Sequence, residues 1–337
     1  MKKEILLGHG SGGKLSHELI SGLFVRYFDN EILGQQTDAA LLEMPEGQLA
    51  FTTDSFVVDP VFFPGGNIGK LAVAGTVNDL AVTGARPLYL SASFILEEGL
   101  GYKDLEEIVA SMADEAQKAG IRIVTGDTKV VNRGKCDKVF ITTSGVGILP
   151  VDRQETGTGN RISSGDMVLV SGTLADHGMC IMAAREGLGF RTTIESDCAS
   201  LNGMISELFA TGADVKFIRD ATRGGVGTVL VEIAQSRNVG LELDEKDIPV
   251  KEEVRGICEL LGFDPMYVAN EGKVVIVVAA ADTGKVLEAL HNHPLGSDAA
   301  IIGKVVNDHP GKVWMTTGIG GKRIVDMLAG EQLPRIC

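Results

Sequence analysis

The 337-residue sequence is short of cysteine, of positive charge and of long apolar runs, and each shortage excludes a class of protein. The five cysteines, at positions 136, 180, 198, 258 and 337, form no CxxC pair. This odd, scattered set argues against a disulfide framework or a structural zinc site and predicts a reduced, cytoplasmic protein. Only 31 basic residues oppose 45 acidic ones, and the net charge of −14 disfavours binding to nucleic acid or an anionic membrane.

No apolar run approaches the length of a transmembrane helix, and residues 1–7 are too briefly apolar for a signal peptide. What is present is typical of a globular protein, with 44% hydrophobic and 23% charged residues. The length is ample for a core and suggests two domains.

Strand and helix patterns alternate through both halves, which predicts an α+β fold with mixed sheets flanked by helices. A glycine-bearing linker over residues 151–165 divides the chain. We therefore expect a domain at 1–155, a second at 156–308, and a flexible, helix-bearing tail at 309–337. Residues 67–83, rich in glycine, alanine and valine, predict a closely packed buried helix.

Acidic residues recur where strands end. Asp54, Asp127 and Asp220 each follow a short apolar run, and ligands commonly bind beyond the carboxyl ends of strands. Asp79 lies in the small-residue helix, where a buried carboxylate is costly unless paired or bound to a metal, and Asp38 is a plausible fifth member. Each acid alone is most simply a turn former or cap, but the repetition favours a magnesium and phosphate site.

Other groups suit an anion or a proton transfer. Arg223 precedes two glycines at a helix start, which is good geometry for an anion. Lys129 can reach a phosphate or act as a base, and Glu271 is a base or a loop charge. The loop Gly8–Gly13, with His9, either wraps an anion or serves as a linker.

The sequence ends at Cys337, preceded by Pro334, which predicts an extended arm. Taken alone, this thiol is most simply idle, because termini are usually solvated and mobile. A nucleotide site elsewhere in the chain would give it a use as the handle that carries a substrate.

Several segments carry a resemblance to a known family. They are Phe51–Phe56, Asp59–Ala72, Asn78–Ala85, Ile123–Val130, Ser171–Gly178, Asp220–Gly225, Ala269–Lys273 and Pro334–Cys337. The N-terminal motifs resemble the aminoimidazole-ribonucleotide-synthetase-like, or PurM-like, superfamily. With the C-terminal motifs, the whole chain is similar to the carbamoyl dehydratase family of hydrogenase maturation.

This resemblance implies a PurM-like architecture, with an N-terminal ATP-binding domain and a C-terminal α/β domain. It implies that a carbamoyl group on Cys337 is dehydrated to a thiocyanate at the expense of ATP, for the cyanide ligand of the [NiFe] hydrogenase iron. The implied cofactors are ATP and Mg²⁺. The implied partners are a second copy in a homodimer, the carbamoyltransferase HypF and a HypC–HypD iron scaffold complex.

The resemblance also distributes roles, leaving open whether Lys129 or Glu271 is the base. The catalytic set is Cys337, Lys129 and Glu271; the cofactor set is Asp54, Asn78, Asp79, Gly126, Asp127, Asp220 and Arg223; the metal set is Asp38, Asp54, Asp79 and Asp127. One departure weakens the case for Asp38, because Thr37 stands where related enzymes often carry a second acid.

Two alternatives remain at this point. The first is another ATP-using enzyme of the superfamily, such as a selenophosphate synthetase or a thiamine-phosphate kinase; the former carries a reactive cysteine or selenocysteine in its glycine loop, and Gly8–Gly13 contains none. The second is a non-enzymatic carrier of a Cys337-bound group, against which the acidic residues argue.

Overall fold

A computed structural model describes residues 4–37, 39–185, 193–328, 330, 333 and 335–337. Asp38, expected to bind metal, and Pro334, expected to extend the arm, lie outside the described residues. Within them, no helix is long and apolar enough to cross a membrane. The expectation of a cytoplasmic protein stays a prediction.

Both halves of the chain contain helices and strands. The helices are α1 Lys14–Leu19, a π-helix Ile20–Val25, α2 Arg26–Phe28, α3 Ile68–Val82, α4 Tyr102–Ala119, α5 Asp176–Ala184, α6 Asn202–Ala210, α7 Gly225–Arg237, α8 Glu252–Leu261 and α9 Thr283–Asn292. The strands are β1 Gln48–Phe56, β2 Phe62–Phe63, β3 Gly66–Asn67, β4 Arg86–Glu97, β5 Arg122–Val131, β6 Val139–Leu149, β7 Met167–Val170, β8 Val215–Asp220, β9 Gly240–Asp244, β10 Val274–Val278, β11 Ala300–Val306, β12 Val313–Thr316 and β13 Lys322–Val325.

The N-terminal half is a four-stranded sheet in the order β1-β6-β4-β5, and only the β4–β5 pair is parallel. Helix α3 packs on β1 and β6 and against α4. A Cβ atom on Gly69 would lie 2.3 Å from the carbonyl oxygen of Ile108, so glycine permits the close α3–α4 contact. Nearly all of α3 is buried, as the small-residue pattern predicted.

The C-terminal half is a seven-stranded sheet in the order β13-β12-β9-β11-β7-β10-β8. Strand β10, Val274–Val278, is buried along its whole length, because strands flank it on both edges and helices cover the sheet. The prediction of a helix-bearing tail from residue 309 is wrong for this part of the chain. Residues 313–316 and 322–325 are strands of the sheet, since apolar residues such as Val313 and Met315 alternate along them.

Strand lengths also correct the predicted positions of the acids. Asp54 and Asp127 lie inside β1 and β5 rather than beyond them, and Asp220 is the last residue of β8. The strands continue past the apolar runs because their next residues still pair with β6 and β4. These acids therefore stand on the sheets, where backbone pairing fixes their positions more firmly than a loop would.

Candidate active site

The C-terminal residues lie along the extended segment that follows β1 of the same chain. The amide of Val57 donates to the carbonyl oxygen of Cys337 at 3.0 Å, and that of Asp59 donates to the carbonyl oxygen of Arg335 at 3.2 Å. Ile336 is buried in the N-terminal core, and Cys337 is half-buried beside it. In place of the expected mobile arm, these residues are docked on the body of the chain by backbone hydrogen bonds.

Cys337 borders a cavity of about 230 Å³ that we call the tail cavity. Its lining is mostly polar and comes from both halves of the chain. The lining residues are Thr53, Asp54, Gly75, Asp79, Arg219, Asp220, Thr222, Arg223, Thr228, Val229, Glu232, Glu271 and Cys337. The fold thus brings together six of the predicted site residues: Asp54, Asp79, Asp220, Arg223, Glu271 and Cys337.

Glu271 is held in the tail cavity by a tightly packed turn before β10. A Cβ atom on Gly272 would lie 1.8 Å from the carbonyl oxygen of Asp197, so only glycine fits there. The Glu271 amide donates to Asp197 Oδ1 at 3.1 Å, and the partly buried Lys273 ammonium lies 3.4 Å from Asp197 Oδ2. Buried Asn270 accepts from the amide of Ala175 at 2.8 Å, which ties the turn to the C-terminal domain.

The Glu271 carboxyl is 3% exposed, and its Oε1 atom makes no hydrogen bond within the described part of the chain. Burial, followed by the negative charges of Asp197 and Asp220, raises its pKa well above the usual range. A buried carboxyl whose pKa is raised and whose oxygen has no hydrogen-bond partner is suited to accept a proton during catalysis.

Asp79 and Asp220 share this acidic environment. Burial and then the charge of Asp220 raise the pKa of Asp79 to about 6, against a 2.9 Å hydrogen bond from Thr52 Oγ1 that lowers it. Burial also raises the pKa of Asp220. Arg223, which precedes α7, lies close enough to lower the pKa of Asp79. The carboxylates outnumber the arginines here, so the cavity would favour a cation.

Asn78 does not line the tail cavity. Its Oδ1 accepts from the amide of Leu201 at 2.7 Å, and its Nδ2 donates to the carbonyl oxygens of Ala199 at 3.0 Å and Glu271 at 3.4 Å. The side chain therefore joins α3 to the C-terminal domain. Its role in binding a cofactor stays a prediction, and its hydrogen-bonding groups are already engaged.

Gly126, Asp127 and Lys129 border a second cavity of about 190 Å³, which we call the loop cavity. Its lining comes entirely from the N-terminal domain: His9, Gly10, Gly12, Ser16, Ile20, Phe24, Val25, Phe28, Leu33, Ala92, Phe94, Thr125, Gly126, Asp127, Thr128 and Lys129. The Lys129 ammonium lies 3.0 Å from Asp127 Oδ1, and this hydrogen bond lowers the Asp127 pKa. The interior is aromatic and aliphatic.

The two cavities lie at opposite edges of the N-terminal sheet. Asp54 is in register with Thr143, Ala92 and Gly126 across three strand spacings, which separates Asp54 from Gly126 by about 14 Å. The predicted metal set is therefore divided, with Asp54 and Asp79 at one edge and Asp127 at the other. Within the residues that the structure describes, no three Asp, Glu, His or Cys side chains converge as a metal site.

Sequence reasoning missed several groups around the tail. His177, at 0% exposure, contacts the carbonyl oxygen of Ile336, 159 residues away. Arg219 and Glu232 pair at 2.7 Å on the tail cavity wall, and Thr228 Oγ1 there makes no hydrogen bond among the described residues. The motif Ser171–Gly178 drew attention to the region of His177, but no local pattern indicates its distant partner.

Comparisons with known proteins agree with this fold. The family description "AIR synthase related protein, N-terminal domain" matches residues 36–149, and its C-terminal counterpart matches residues 163–316. The chain is thus a two-domain α+β protein of the AIR synthase related, or PurM-like, class.

Three similar proteins identify the family within this class. The carbamoyl dehydratase HypE of Rhodobacter capsulatus is 52% identical over 99% of this chain and 98% of its own. A crystal structure of HypE in complex with ATP is 50% identical, with a TM-score of 0.94 over 98% of this chain and 99% of that one. A HypE–HypF complex is 49% identical, with a TM-score of 0.78 over 92% and 99%. The chain belongs to the HypE family of carbamoyl dehydratases.

Proposed function

We propose that this chain, as a carbamoyl dehydratase of hydrogenase maturation, acts on a carbamoyl group carried by its own Cys337. The observation that carries the proposal is the docking of Cys337 at a cavity that also contains Glu271 and three aspartates. A passive carrier of a Cys-bound group would have no need for such a set of titratable groups around its thiol.

The reaction converts a thiocarboxamide and ATP into a thiocyanate, ADP and phosphate. The amide oxygen attacks the γ-phosphorus of ATP, and ADP leaves. The carbon–oxygen bond then breaks with phosphate as the leaving group, while the nitrogen loses both protons and the C≡N bond forms. Phosphorylation is required because the unmodified amide oxygen leaves poorly, and phosphoryl transfer depends mainly on positioning and charge neutralisation.

Glu271 is our choice for the base that removes the nitrogen protons. It lines the same cavity as Cys337, and its raised pKa makes its carboxylate a stronger base than a solvated one. Lys129 lies at the loop cavity of the same chain, where its ammonium suits contact with a phosphate.

ATP fits this arrangement as the phosphoryl donor, and magnesium as its charge mediator. Asp54, Asp79 and Asp220 would supply carboxylate oxygens. Burial, followed by the charge of Asp220, raises the pKa of Asp79, and a bound cation would stabilise its charged form. Asp127 would hold a cation at the other edge. When bound, Mg²⁺ would neutralise phosphate charge. The crystal structure of a similar HypE in complex with ATP supports the choice of ATP as the nucleotide.

A homodimer would join the two cavities, and we propose one. Strand β1 pairs with β6 alone among the described strands, and its Leu49 and Phe51 are 60% and 66% exposed. An unpaired strand edge carrying exposed apolar side chains is suited to a second copy. Strand β5, which carries Lys129, is the other edge of the same sheet and pairs with β4 alone among the described strands. A second copy that places its β5 beside β1 would bring Lys129 of one chain toward Cys337 of the other.

The proposed partners follow the reaction. HypF supplies the carbamoyl group, supported by the HypE–HypF complex, and a HypC–HypD complex in the cytoplasm receives the cyanide for its iron.

The chemistry is tested by mass spectrometry of carbamoylated protein, intact and after digestion. We expect an ATP-dependent loss of about 18 Da, the mass of one water, and a thiocyanate on the peptide that contains Cys337. An unchanged mass, or a change at another residue, would refute the proposal.

A further inference from the structure

The carbonyl group of Ile336 has a different partner from the carbonyl groups of its two neighbours, which are held by the segment after β1. The carbonyls of Arg335 and Cys337 accept from the amides of Asp59 and Val57, whereas that of Ile336 lies 2.6 Å from Nε2 of His177. His177 is completely buried and packs edge-on against the ring of Phe63 at 5.6 Å between centroids. A buried imidazole thus contacts the residue next to the reactive cysteine.

The contacts of His177 define its protonation. A carbonyl oxygen only accepts, so Nε2 must carry a proton and donate it to Ile336. Nδ1 lies 2.7 Å from Ser196 Oγ. Burial lowers the pKa of His177, so the ring is neutral and Nδ1 accepts the Ser196 hydroxyl proton. The serine, the imidazole and the tail carbonyl therefore form one directed chain of hydrogen bonds.

The segment Ser196–Cys198 connects this chain to Glu271. Ser196 Oγ also accepts from the amide of Cys198 at 3.1 Å, and the intervening Asp197 accepts from the amide of Glu271 at 3.1 Å. The amide of Ser196 donates to the carbonyl oxygen of Pro64 at 2.9 Å, which fixes the segment to the N-terminal domain. One short segment therefore contacts both the group that holds the tail and the turn that holds the candidate base.

We propose that His177 is a positioning residue that recognises the docked tail through the Ile336 carbonyl and, through Ser196, fixes Cys337 relative to Glu271. The proposal rests on the proposed function in taking Cys337 as the residue that carries the substrate. His177 does not act on the thiol itself. Its effect is to raise the fraction of molecules in which the tail is docked.

The test measures docking separately from chemistry. In uncarbamoylated protein, the alkylation rate of Cys337 by iodoacetamide is followed by mass spectrometry of the peptide released by cleavage before Asp326. The change His177→Leu removes the donor from a buried carbonyl, and the tail should undock enough to raise the rate about ten-fold. His177→Gln, which retains an N–H donor, should stay within about three-fold of the wild type.

A matched control addresses another contact to the tail. Arg185 Nη2 donates to the carbonyl oxygen of Arg335 at 3.0 Å, but that carbonyl keeps the Asp59 amide as a second donor. Arg185→Gln should therefore raise alkylation less than His177→Leu. Equal rates for His177→Leu and the wild type, or equal increases for the leucine and glutamine variants, would overturn the proposal.

The dehydration rate gives the second measurement. In a single turnover at saturating ATP, His177→Leu should slow dehydration about ten-fold while ATP affinity is unchanged. If His177→Leu fails to fold, Ser196→Ala replaces it, with about three-fold faster alkylation expected, and an unchanged rate would refute the positioning role. Should wild-type protein show no ATP-dependent mass loss, the proposed function fails, while the alkylation comparison still decides whether His177 holds the tail.

Discussion

The tail cavity and the loop cavity differ in both origin and charge. The tail cavity is built by both domains, with Asp54 and Asp79 from one and Asp220 and Glu271 from the other, and acids dominate it. The loop cavity belongs to the N-terminal domain alone, and its apolar interior has the single ion pair Asp127–Lys129 at its polar side. The tail cavity is suited to proton transfer beside a thiol. The loop cavity is suited to bind an apolar group that carries a charge at one end.

This difference shows why neither cavity is a complete site. Cys337 and Glu271 lie at one edge of the N-terminal sheet, and Lys129 lies at the other. Changes at the tail cavity should therefore affect chemistry and interdomain stability, while changes at the loop cavity should affect chemistry and leave stability unaltered. Four variants examine that contrast.

Glu271→Gln should have the largest effect. Removing a general base costs about 10²- to 10⁴-fold in rate, so dehydration should nearly cease while the tail stays docked. Because its raised pKa means that the carboxylate forms only above the usual carboxyl range, the wild-type rate should rise with pH there, and the variant should lose this rise. Single-turnover mass spectrometry across pH measures both. Glu115→Gln, at a buried carboxyl that accepts from the Ser200 amide away from the cavity, is the control.

Asp79→Asn should stabilise the protein in the absence of ATP and magnesium. The pKa of Asp79 is raised from 3.8 to about 6 in the folded state. The folded state therefore holds the proton more tightly than the unfolded state, and its stability falls as the pH rises from about 4 through about 6. The shift of about two units corresponds to about 3 kcal/mol, which asparagine should recover at pH 8 but not below pH 4. Urea unfolding at the two pH values measures the difference. Equal stabilities at pH 8 would show that Asp79 is not strained by its neighbours.

Lys129→Ala should slow dehydration by roughly 10- to 100-fold, because a positioned charge at the phosphate is lost. The melting temperature should be unchanged, since the Asp127–Lys129 pair is exposed and contributes little to stability. Lys285→Ala is the matched control, because Lys285 forms a similar exposed pair with Asp282 at 2.9 Å in the other domain. Equal rates for the two variants would remove Lys129 from the site.

Asn78→Ala should have the smallest effect, confined to the contact between the two domains. It removes the hydrogen bonds to Leu201 and Ala199 that join the two domains, at a cost of about 2 kcal/mol. If the adenine occupies the apolar loop cavity, whose lining comes from the N-terminal domain alone, the nucleotide should bind the variant as it binds the wild type. Calorimetry measures the free energy of nucleotide binding, and urea unfolding measures the stability. If the free energy of binding falls by as much as the free energy of unfolding, Asn78 contacts the nucleotide.

Much of the fold could be predicted from local pattern. The buried helix α3 was recognisable because its run of small apolar residues is a local feature of the sequence. The strands β12 and β13 were not, because such short segments are recognisable only from their pairing: β12 pairs with β9, about 70 residues earlier, and β13 pairs with β12.

In the candidate site too, some features could be predicted from local sequence and others could not. Glu271 and Asp79 were identifiable from motifs, but their raised pKa values come from burial in the folded protein and then from acids that other elements bring near. The interaction of His177 with Ile336 spans the whole C-terminal domain and has no local signature. The separation of Lys129 from Cys337 required the strand order, which motif spacing does not reveal.

The central claim, that the tail cavity of one chain works with the loop cavity of another, is tested most directly by mixing an inactive protein with a slow one. Cys337→Ala lacks the acceptor thiol and is inactive, and Lys129→Ala lacks the loop-cavity charge and is slow; each should fold and bind ATP. After subunit exchange at equal amounts, the initial rate of dehydration should return to about a quarter of the wild-type rate, because half the dimers are mixed and each has one complete site. Exchange of subunits without any return of activity would mean that Cys337 and Lys129 act within one chain, and would contradict the account.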